Sequence, residues 1–311
     1  MTDRVPHPQD PAAAPARLPA WLRAIAALPL PLLYAVLSGL MFLVFRVVRL
    51  RRKVVEQNLR DCFPDRSAAE LRRLARDHYR QTGENIAETL KAISMPREEL
   101  AARVAFRNID LARGLLAQGR PVILVAAHQA NWEWVLHALS LGLGSPLDVG
   151  YKPIRSPGVD RLMRTIRTRF GTHMVPAKEL LPDLLKRRSI VRGIAMLADQ
   201  EPTSSEHQHW LTFLGRETAF YMGAEQMARA TRYPALFVAL RRLRRGWYEI
   251  EFLPLALPGE TLAPGEFTTR YARLVEAEIL AAPSDWTWGH RRWKLRRSLY
   301  SALGAGSAGP R

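Results

Sequence analysis

The feature that most constrains the fold is the stretch of residues 121–140, PVILVAAHQANWEWVLHALS, which predicts a strand, a tight turn and a helix in succession. Residues 122–125 are apolar and rich in β-branched side chains, as is typical of a buried strand. Asn131 is a suitable N-cap for the helix that follows. His128 and Glu133 therefore flank the turn. Because ligands of α/β proteins usually bind at the carboxyl edge of the sheet, this segment predicts an α/β fold with a site there.

The spacing of His128 and Glu133 sets a condition on how they can meet. Side chains five residues apart diverge on one continuous helix, where i+3 and i+4 pairs are neighbours. They meet only if His128 lies in the turn and Glu133 in the first helical turn. A carboxylate there would accept the imidazole N–H, fix its tautomer and make the other nitrogen a general base for a hydroxyl. The alternative is a buried histidine followed by a glutamate that favours the helix dipole.

The sequence HQANWE of residues 128–133 is similar to the His-x4-Asp/Glu motif of glycerolipid-type acyltransferases. Its Asn-Trp-Glu ending resembles the late acyltransferases of lipid A biosynthesis, the lauroyl and myristoyl transferases. This resemblance implies a mixed central sheet flanked by helices, in an acyltransferase domain of residues 51–297. It also implies His128 and Glu133 as a catalytic dyad, with Asn131 at the substrate.

The N-terminal part of the chain predicts a membrane anchor over residues 21–50. No charged residue occurs between Arg23 and Arg46, so residues 24–45 are nearly long enough to span a bilayer. Basic residues follow at once: Arg46, Arg49, Arg51, Arg52 and Lys53. By the positive-inside rule they place the catalytic domain in the cytoplasm, at the bacterial inner membrane that the resemblance implies. A cleaved signal peptide, which lacks support from a basic n-region, and a buried amphipathic helix are the alternatives.

Charge and composition narrow the partners. The formal net charge of +17 and the pI near 10.9 predict a polyanionic partner, which is nucleic acid, an anionic membrane surface or a phosphorylated substrate. Cys62 is the only cysteine, so an intrachain disulfide is excluded. Residues 1–20, rich in Pro and Ala, predict a disordered N-terminus, and residues 298–311 predict a flexible tail.

Residues 151–171 contain a run of arginines on a predicted helix and its exit. A solvated helix face is one interpretation, and a phosphate clamp is the other, because arginine binds phosphate in bidentate fashion. The segment also resembles the family in Tyr151-Lys152-Pro and in the basic pair Arg167 and Arg169. The resemblance implies Arg167 as the active-site arginine, with Lys152, Arg164 and Arg169 as substrate-binding residues.

A second polar pair follows a second buried strand. Residues 190–197 predict a strand that ends in Asp199 and Gln200 at the sheet edge. The family has the same Asp-Gln pair, so Asp199 is a candidate catalytic residue and Gln200 a candidate substrate-binding residue. Capping of the next turn is the alternative for Asp199.

Two later segments extend the resemblance. Residues 210–220, WLTFLGRETAF, are similar to the family's Phe-Phe-Gly segment, with Thr212 in place of its proline. Residues 283–294, PSDWTWGHRRWK, resemble its closing motif, with Trp286 in place of tyrosine. Four motifs in the family's order make the resemblance specific. The resemblance implies further substrate-binding residues in the closing motif: His290, Arg291, Arg292 and Lys294.

Metal and cofactor sites are not predicted. His207 and His209 alternate as on one face of a strand, but a zinc site needs at least one more ligand, and neither HExxH nor CxxC spacing occurs. We therefore expect no metal and no cofactor.

The preferred function is a membrane-anchored O-acyltransferase. The resemblance implies an acyl donor on acyl carrier protein or coenzyme A and a phosphorylated lipid A precursor as acceptor. The same chemistry on a lysophospholipid, an ornithine lipid or a polyene-type lipid is the first alternative. A nucleic-acid-binding protein is the second, although no recognition motif for nucleic acid is present and we expect no such partner. A lipid hydrolase is disfavoured because the motif turn has no serine and no G-x-S-x-G elbow occurs.

Overall fold

The computed structural model describes residues 18–202 and 207–295 of the chain. The helices in these residues are α1 (Ala20–Ala27), α2 (Leu30–Leu43), α3 (Arg52–Cys62), α4 (Ala68–Lys91), α5 (Arg97–Arg103), α6 (Ile109–Ala117), α7 (Trp132–Gly142), α8 (Pro157–Arg167), α9 (Leu180–Lys186), α10 (Gly223–Thr231) and α11 (Glu266–Ala281). The strands are β1 (Val104–Phe106), β2 (Val122–Ala126), β3 (Leu147–Tyr151), β4 (His173–Pro176), β5 (Gly193–Leu197), β6 (Gln208–Phe213), β7 (Arg216–Tyr221), β8 (Ala235–Arg244) and β9 (Trp247–Ala256). A π-helical segment, Val44–Val48, extends α2, and a 3₁₀ turn covers Pro283–Asp285.

The central sheet has seven strands in the order β1-β9-β8-β2-β5-β3-β4. Only β8 and β9 pair antiparallel, and the other neighbours are parallel, so the sheet is mixed as predicted. Strands β2 and β5 lie side by side, with Ala126 opposite Leu197. Their carboxyl ends therefore meet at the same point of the sheet edge. Strands β6 and β7 form a separate hairpin.

Helices cover both faces of the sheet, and the alternation of side chains along β2 shows how. Ile123 and Val125 belong to one buried cluster, which includes residues of α10 and α11. Val122 and Leu124 belong to the other, which includes residues of α5, α6 and α7. A strand that is buried on both faces is apolar at every position, and this explains the continuous apolar run in its sequence.

One predicted strand boundary changes in the structure. The strand expected at residues 190–197 begins only at Gly193, and the preceding Arg192 is buried with its Nε 2.6 Å from Oδ2 of Asp148. Helix α6 is preceded by β1 and starts at Ile109. Ser67 and Glu70 form a capping box at the start of α4, as the Ser-x-x-Glu spacing indicates.

The apolar N-terminal stretch is two helices rather than the one expected. α1 ends at Ala27 and α2 starts at Leu30, because Pro29 at the N-cap cannot continue the first helix. Within the described residues, Leu30–Val48 is the one helix that is long and apolar enough to cross a membrane. Nearly all of the predicted disordered N-terminus and of the predicted tail lies outside the described residues.

Candidate active site

The centre of the site is a pair of side chains from neighbouring strand ends. His128 and Asp199 each lie two residues beyond the paired ends of β2 and β5, so the strand register brings them together. His128 Nδ1 is 2.7 Å from Asp199 Oδ1, and the His128 backbone N–H donates to Oδ2 over 3.0 Å. The indole N–H of Trp286 also donates to Oδ2, over 2.8 Å. Burial alone raises the pKa of Asp199, but the imidazole and these donors outweigh it, so the pKa lies below its ordinary value.

This geometry leaves one imidazole nitrogen open. With Nδ1–H donating to Asp199, the lone pair of Nε2 points away from the carboxylate. The amide of Gln200 is 3.3 Å from Nε2, and the His128 side chain is 19% exposed. A substrate hydroxyl in place of the Gln200 amide would meet an imidazole oriented for proton abstraction.

The predicted dyad requires Glu133 to contact His128, and in the structure it does not. Its carboxylate instead binds Arg167 in bidentate fashion, with Oε2 2.8 Å from Nε and Oε1 2.5 Å from Nη2. The ring of Trp132 packs edge-on against the imidazole of His128, with centroids 5.3 Å apart. The first turn of α7 thus directs Glu133 towards the end of α8. Asp199 makes the contact with the imidazole that was expected of Glu133.

The turn that carries His128 is clamped by two other segments. Ala130, in the left-handed region with φ 46°, donates its N–H to the Asp285 carbonyl and accepts from the Asn85 side chain over 2.6 Å. Thr287 donates its backbone N–H and its hydroxyl to the His128 carbonyl, over 3.1 and 2.9 Å. Such multiple contacts hold a strained turn in one conformation.

Asn131 is the N-cap of α7, as predicted, and it has a further contact. Its Oδ1 accepts from the Trp134 backbone N–H over 3.1 Å, while its Nδ2 donates to Glu88 over 2.5 Å. Glu88 is fully buried on α4 and also accepts from the hydroxyls of Tyr34 and Tyr248, over 2.6 Å each. Burial raises the pKa of Glu88, against the opposing charge of Arg242 and these hydrogen bonds. Asn131 is therefore buried, and its contacts position the turn.

An apolar cavity of about 600 Å³ lies beside His128. Its walls include apolar side chains from α2, α4 and α8, namely Met41, Ile86, Leu90, Leu162, Met163 and Ile166. Trp132, Gln200 and His290, which surround His128, line it as well. Its volume is within the range of sites for small organic ligands, about 300–1,000 Å³.

A basic cleft of about 970 Å³ adjoins the apolar cavity, and Arg51 and His290 line both. Its cations are Arg49, Arg51, Arg52, Lys53, Arg291 and Lys294, against the two carboxylates Glu56 and Glu201. Arg49 and Arg51 are in the left-handed region, with φ 55° and 52°, and Arg51 donates to the Gly289 carbonyl over 2.9 Å. Burial, followed by the charge of Arg292, lowers the pKa of His290 to about 4, so this imidazole is neutral at pH 7.

Three arginines of the predicted phosphate clamp contact protein groups in the structure, whereas Arg155 and Arg161 of the same run are exposed. Arg164 donates to the Tyr151 hydroxyl over 2.5 Å, and Arg167 is paired with Glu133. Arg169 donates to the carbonyl of Ala92, at the end of α4. Lys152 is exposed.

Arg292 was predicted to bind substrate, but the structure buries it. Its side chain is almost fully buried, with its guanidinium carbon 4.5 Å from the centroid of the Phe220 ring. Burial lowers its pKa to about 10. Arg291 and Lys294, which alternate with it in sequence, are exposed in the basic cleft.

Three residues contribute to the site although their sequence patterns did not predict it. In the sequence Trp286 stands out only as a replacement for tyrosine and Arg51 only as part of a membrane-flanking run, while no motif includes Glu88. The available signal was weak: an indole N–H in the closing motif can donate to a carboxylate. None of the three lies near its partner in sequence.

His207 and His209, which were considered as zinc ligands, lie beside and on β6. His209 Nε2 is 2.9 Å from the Thr269 hydroxyl. Among the described residues, no group of three or more His, Cys, Asp or Glu side chains is arranged to hold a metal ion.

Comparison with known proteins links this geometry to a family. The sequence model of the family described as bacterial lipid A biosynthesis acyltransferase matches residues 18–295. The chain is 29% identical over 280 residues to the lipid A biosynthesis lauroyltransferase of Escherichia coli (strain K12), covering 89% of each chain. It is 23% identical over 256 residues to the lipid A biosynthesis palmitoleoyltransferase of the same organism, covering 81% of this chain and 82% of that one. A lipid A biosynthesis acyltransferase of Shigella flexneri matches over the same length with the same identity.

Proposed function

Because the chain belongs to the bacterial lipid A biosynthesis acyltransferase family, and is therefore an acyltransferase, we propose that it transfers a fatty acyl chain from a thioester to a free hydroxyl of a lipid A precursor. The observation that carries the proposal is the His128–Asp199 pair, which leaves Nε2 open beside an apolar cavity. Chemistry of this kind needs a base at the hydroxyl and an apolar site for the chain, and both lie together here.

The reaction proceeds by direct transfer in this proposal. Nε2 of His128 removes the proton of the acceptor hydroxyl as its oxygen attacks the thioester carbonyl. The C–S bond then breaks, and the imidazolium returns the proton to the departing thiolate, so that an ester and a thiol are formed. Asp199 stabilises the imidazolium during this step and holds the ring in the productive tautomer.

The apolar cavity and the basic cleft bind different parts of the substrates in this proposal. The acyl chain occupies the apolar cavity between α4 and α8, since burial of its methylenes there is favourable. Phosphate groups of the glycolipid acceptor occupy the basic cleft, where Arg49, Arg51 and Lys294 offer charge-assisted hydrogen bonds. Arg51 and His290 lie at the junction, so the two substrates meet next to His128.

Acyl carrier protein is the donor that we propose, with acyl-coenzyme A as the alternative thioester. The enzyme acts at the inner membrane with this domain on the cytoplasmic side, where the basic residues after α2 would face the anionic lipids of that leaflet. The names of the relatives support a lipid A precursor as acceptor.

The test is an acyl-transfer assay with the purified full chain. Acyl carrier protein and coenzyme A thioesters are supplied separately, each with a phosphorylated lipid A precursor or with a lysophospholipid. His128→Ala is expected to lower transfer by about 10²–10⁴-fold. The matched control is Arg72→Ala, at an exposed position of α4.

Near-normal transfer by His128→Ala with a native circular dichroism spectrum would show that His128 is not the general base. Transfer to the lysophospholipid in preference to the phosphorylated glycolipid would replace the acceptor and leave the chemistry in place.

A further inference from the structure

The apolar helix α2 packs along its whole length against α4. Its buried or half-buried positions recur at helical spacing: Leu30, Leu33, Tyr34, Leu37, Ser38, Met41, Val44 and Phe45. Three successive contacts show that the two helices run antiparallel: Tyr34 with Glu88, Leu37 with Gly83, and Phe45 with Tyr79. The contact stripe from Tyr34 to Phe45 is roughly 16 Å long at a helical rise of 1.5 Å per residue.

This contact is tight and polar enough to fix α2 in place. A Cβ atom at Gly83 would lie only 2.7 Å from the backbone oxygen of Leu37, so the helix backbones touch there. Glu88 is fully buried and accepts the Tyr34 hydroxyl over 2.6 Å. Removing α2 from α4 would expose the apolar stripe and leave Glu88 with one hydrogen bond fewer, both of which are unfavourable.

A bilayer-spanning α2 is incompatible with this contact. Leu30–Val48 has 19 residues, and a bilayer core of about 30 Å would enclose almost all of it. The part of α4 beside it carries Arg80, whose side chain is 45% exposed and pairs with Asp77 and Glu84. These charges, and the sheet to which α4 is attached, would enter the hydrocarbon with α2. Charged side chains inside the hydrocarbon of a bilayer are strongly unfavourable.

The outward face of α2 is continuous, apolar and unpartnered within the described residues. Its exposed side chains are Leu32, Val36, Leu40, Phe42 and Leu43, followed by Val47 and Val48. Exposed cations flank this face, with Arg23 before it and Arg46, Arg49 and Lys53 after it. An apolar face between cations is complementary to the surface of an anionic phospholipid bilayer, in which the acyl boundary lies just below the negative headgroups.

We propose that α2 and its π-helical extension lie in the plane of an anionic membrane surface and do not cross the bilayer. The apolar face enters one leaflet, while α4 and the sheet stay in the aqueous phase. Both ends of α2 then lie on the same side of the membrane.

This orientation also explains the position of the apolar cavity. Met41 of α2 and Leu50, just beyond the π-helical segment, line its wall, so the cavity adjoins the face that enters the leaflet. A lipid could reach His128 from the leaflet with its acyl chains remaining in an apolar environment. This last step rests on the proposed function, whereas the orientation of α2 does not.

Depth measurements on the full chain bound to anionic vesicles test the orientation. Nitroxide labels are placed on the exposed face by Leu32→Cys, Val36→Cys, Leu40→Cys and Val47→Cys, one at a time. The native Cys62 is buried, which raises its pKa to about 12, so we expect no labelling of the unaltered chain at neutral pH. All four labels should lie at a similar depth, about 5–10 Å below the headgroups.

A spanning helix gives a different depth profile. The labels at residues 36 and 40 would then lie near the bilayer centre, about 15 Å deep, and those at residues 32 and 47 would be shallow at opposite surfaces. That profile would overturn the proposal, and so would a failure of the unaltered chain to bind anionic vesicles. As a second measurement, a reporter enzyme that is active only outside the cytoplasm, fused to the N-terminus of the full chain, should be inactive, and an active reporter would likewise overturn it.

Charge substitutions identify the face that makes the contact. The double change Val36→Glu and Leu40→Glu should lower vesicle partitioning by about tenfold or more, since two carboxylates would enter the interface. The control is the double change Leu185→Glu and Leu280→Glu, on α9 and α11, which adds the same two charges at leucines that are 50% and 54% exposed. The control should partition like the unaltered chain. Equal losses in both would assign binding to overall charge and overturn the role of α2.

Discussion

The site contains two acid–base pairs that differ in what they leave open. His128 and Asp199 are 71 residues apart in sequence, and their contact leaves Nε2 of the imidazole without a carboxylate partner. Glu133 and Arg167 are 34 residues apart, and both carboxylate oxygens of Glu133 accept from the guanidinium. The first pair can therefore move a proton, whereas the second is a closed ion pair that joins α7 to α8. The difference shows that strand register, and not nearness in sequence, determines which carboxylate acts on the histidine.

The largest expected effect separates the two carboxylates. Asp199→Asn should lower the rate of acyl transfer by about 10²–10⁴-fold, because an amide cannot stabilise the imidazolium and favours the wrong tautomer. For Glu133→Gln the fold-loss in rate should be smaller by a factor of about ten or more, since Glu133 does not touch the imidazole. The measurement is kcat for both variants in the acyl-transfer assay.

The two substitutions are matched in kind, because each replaces a buried carboxylate by its amide. Equal losses of kcat in the two variants would show that Glu133 supports the base His128 as much as Asp199 does. A loss confined to Glu133→Gln would make the Asp199 contact a structural one.

The second effect concerns stability and distinguishes the closed pair. Arg167→Ala leaves Glu133, only 8% exposed, as a buried charge without its partner. Because the Arg167 side chain is itself 21% exposed, we expect a loss in the free energy of unfolding of about 2–3 kcal/mol, below the range for fully buried pairs. Denaturant unfolding measures it.

Removing both charges together is the control for that pair. The double variant Glu133→Gln and Arg167→Ala leaves neither charge unpaired, so it should lose less free energy of unfolding than Arg167→Ala alone. If the double variant loses the sum of the two single losses, the pair is not coupled as its geometry indicates.

Much of the sheet and part of the site could be predicted because their signals are local. The apolar run of β2, the N-cap at Asn131 and the capping box at Ser67 each depend on a few neighbouring residues. The two strand ends with His128 and Asp199 could also be identified separately. What local patterns do not contain is the register of β2 against β5, which makes the two residues a pair.

The arginines show a second limit of local patterns. Arg242 and Arg245 belong to a run of basic residues at the turn between β8 and β9, yet both bind the fully buried Glu84. A net charge of +17 does not reveal which cations are neutralised by a distant carboxylate. The cations of the basic cleft differ from these because few acidic side chains face them.

A third prediction concerns a buried histidine on α7, the helix that carries Glu133. His137 lies one turn after Glu133, is fully buried, and neither ring nitrogen has a hydrogen-bond partner among the described residues. Burial lowers its pKa to about 4, although the charge of Glu133 partly opposes this. The unfolded chain takes up this proton near pH 6.5 and the folded chain does not. Stability is therefore complete above about pH 6.5 and falls as the pH is lowered towards 4.

The variant His137→Leu should remove this part of the pH dependence. Between pH 6.5 and 5 the unaltered chain should lose up to about 2 kcal/mol more than the variant, by linkage at about 1.4 kcal/mol per pH unit. The measurement is the free energy of unfolding at both pH values. His78 and His290, whose pKa values burial also lowers to about 4, remain in the variant and give both proteins a common slope. Identical slopes would show that His137 is protonated equally in both states.

The smallest expected effect tests the arginine nearest to the closed pair. Arg169 lies two residues after Arg167, but its guanidinium donates to the Ala92 carbonyl at the end of α4 and lies 4.7 Å from the centroid of the Phe170 ring. A cation at a helix C-terminus satisfies a free carbonyl and favours the dipole. Arg169→Ala should therefore lower the free energy of unfolding by about 1 kcal/mol, while kcat and the KM for the phosphorylated acceptor stay within about twofold. Arg169→Lys, which keeps the charge, should lose less. A tenfold rise in KM for the phosphorylated acceptor at unchanged stability would instead show that Arg169 binds phosphate, as its place in the arginine run first predicted.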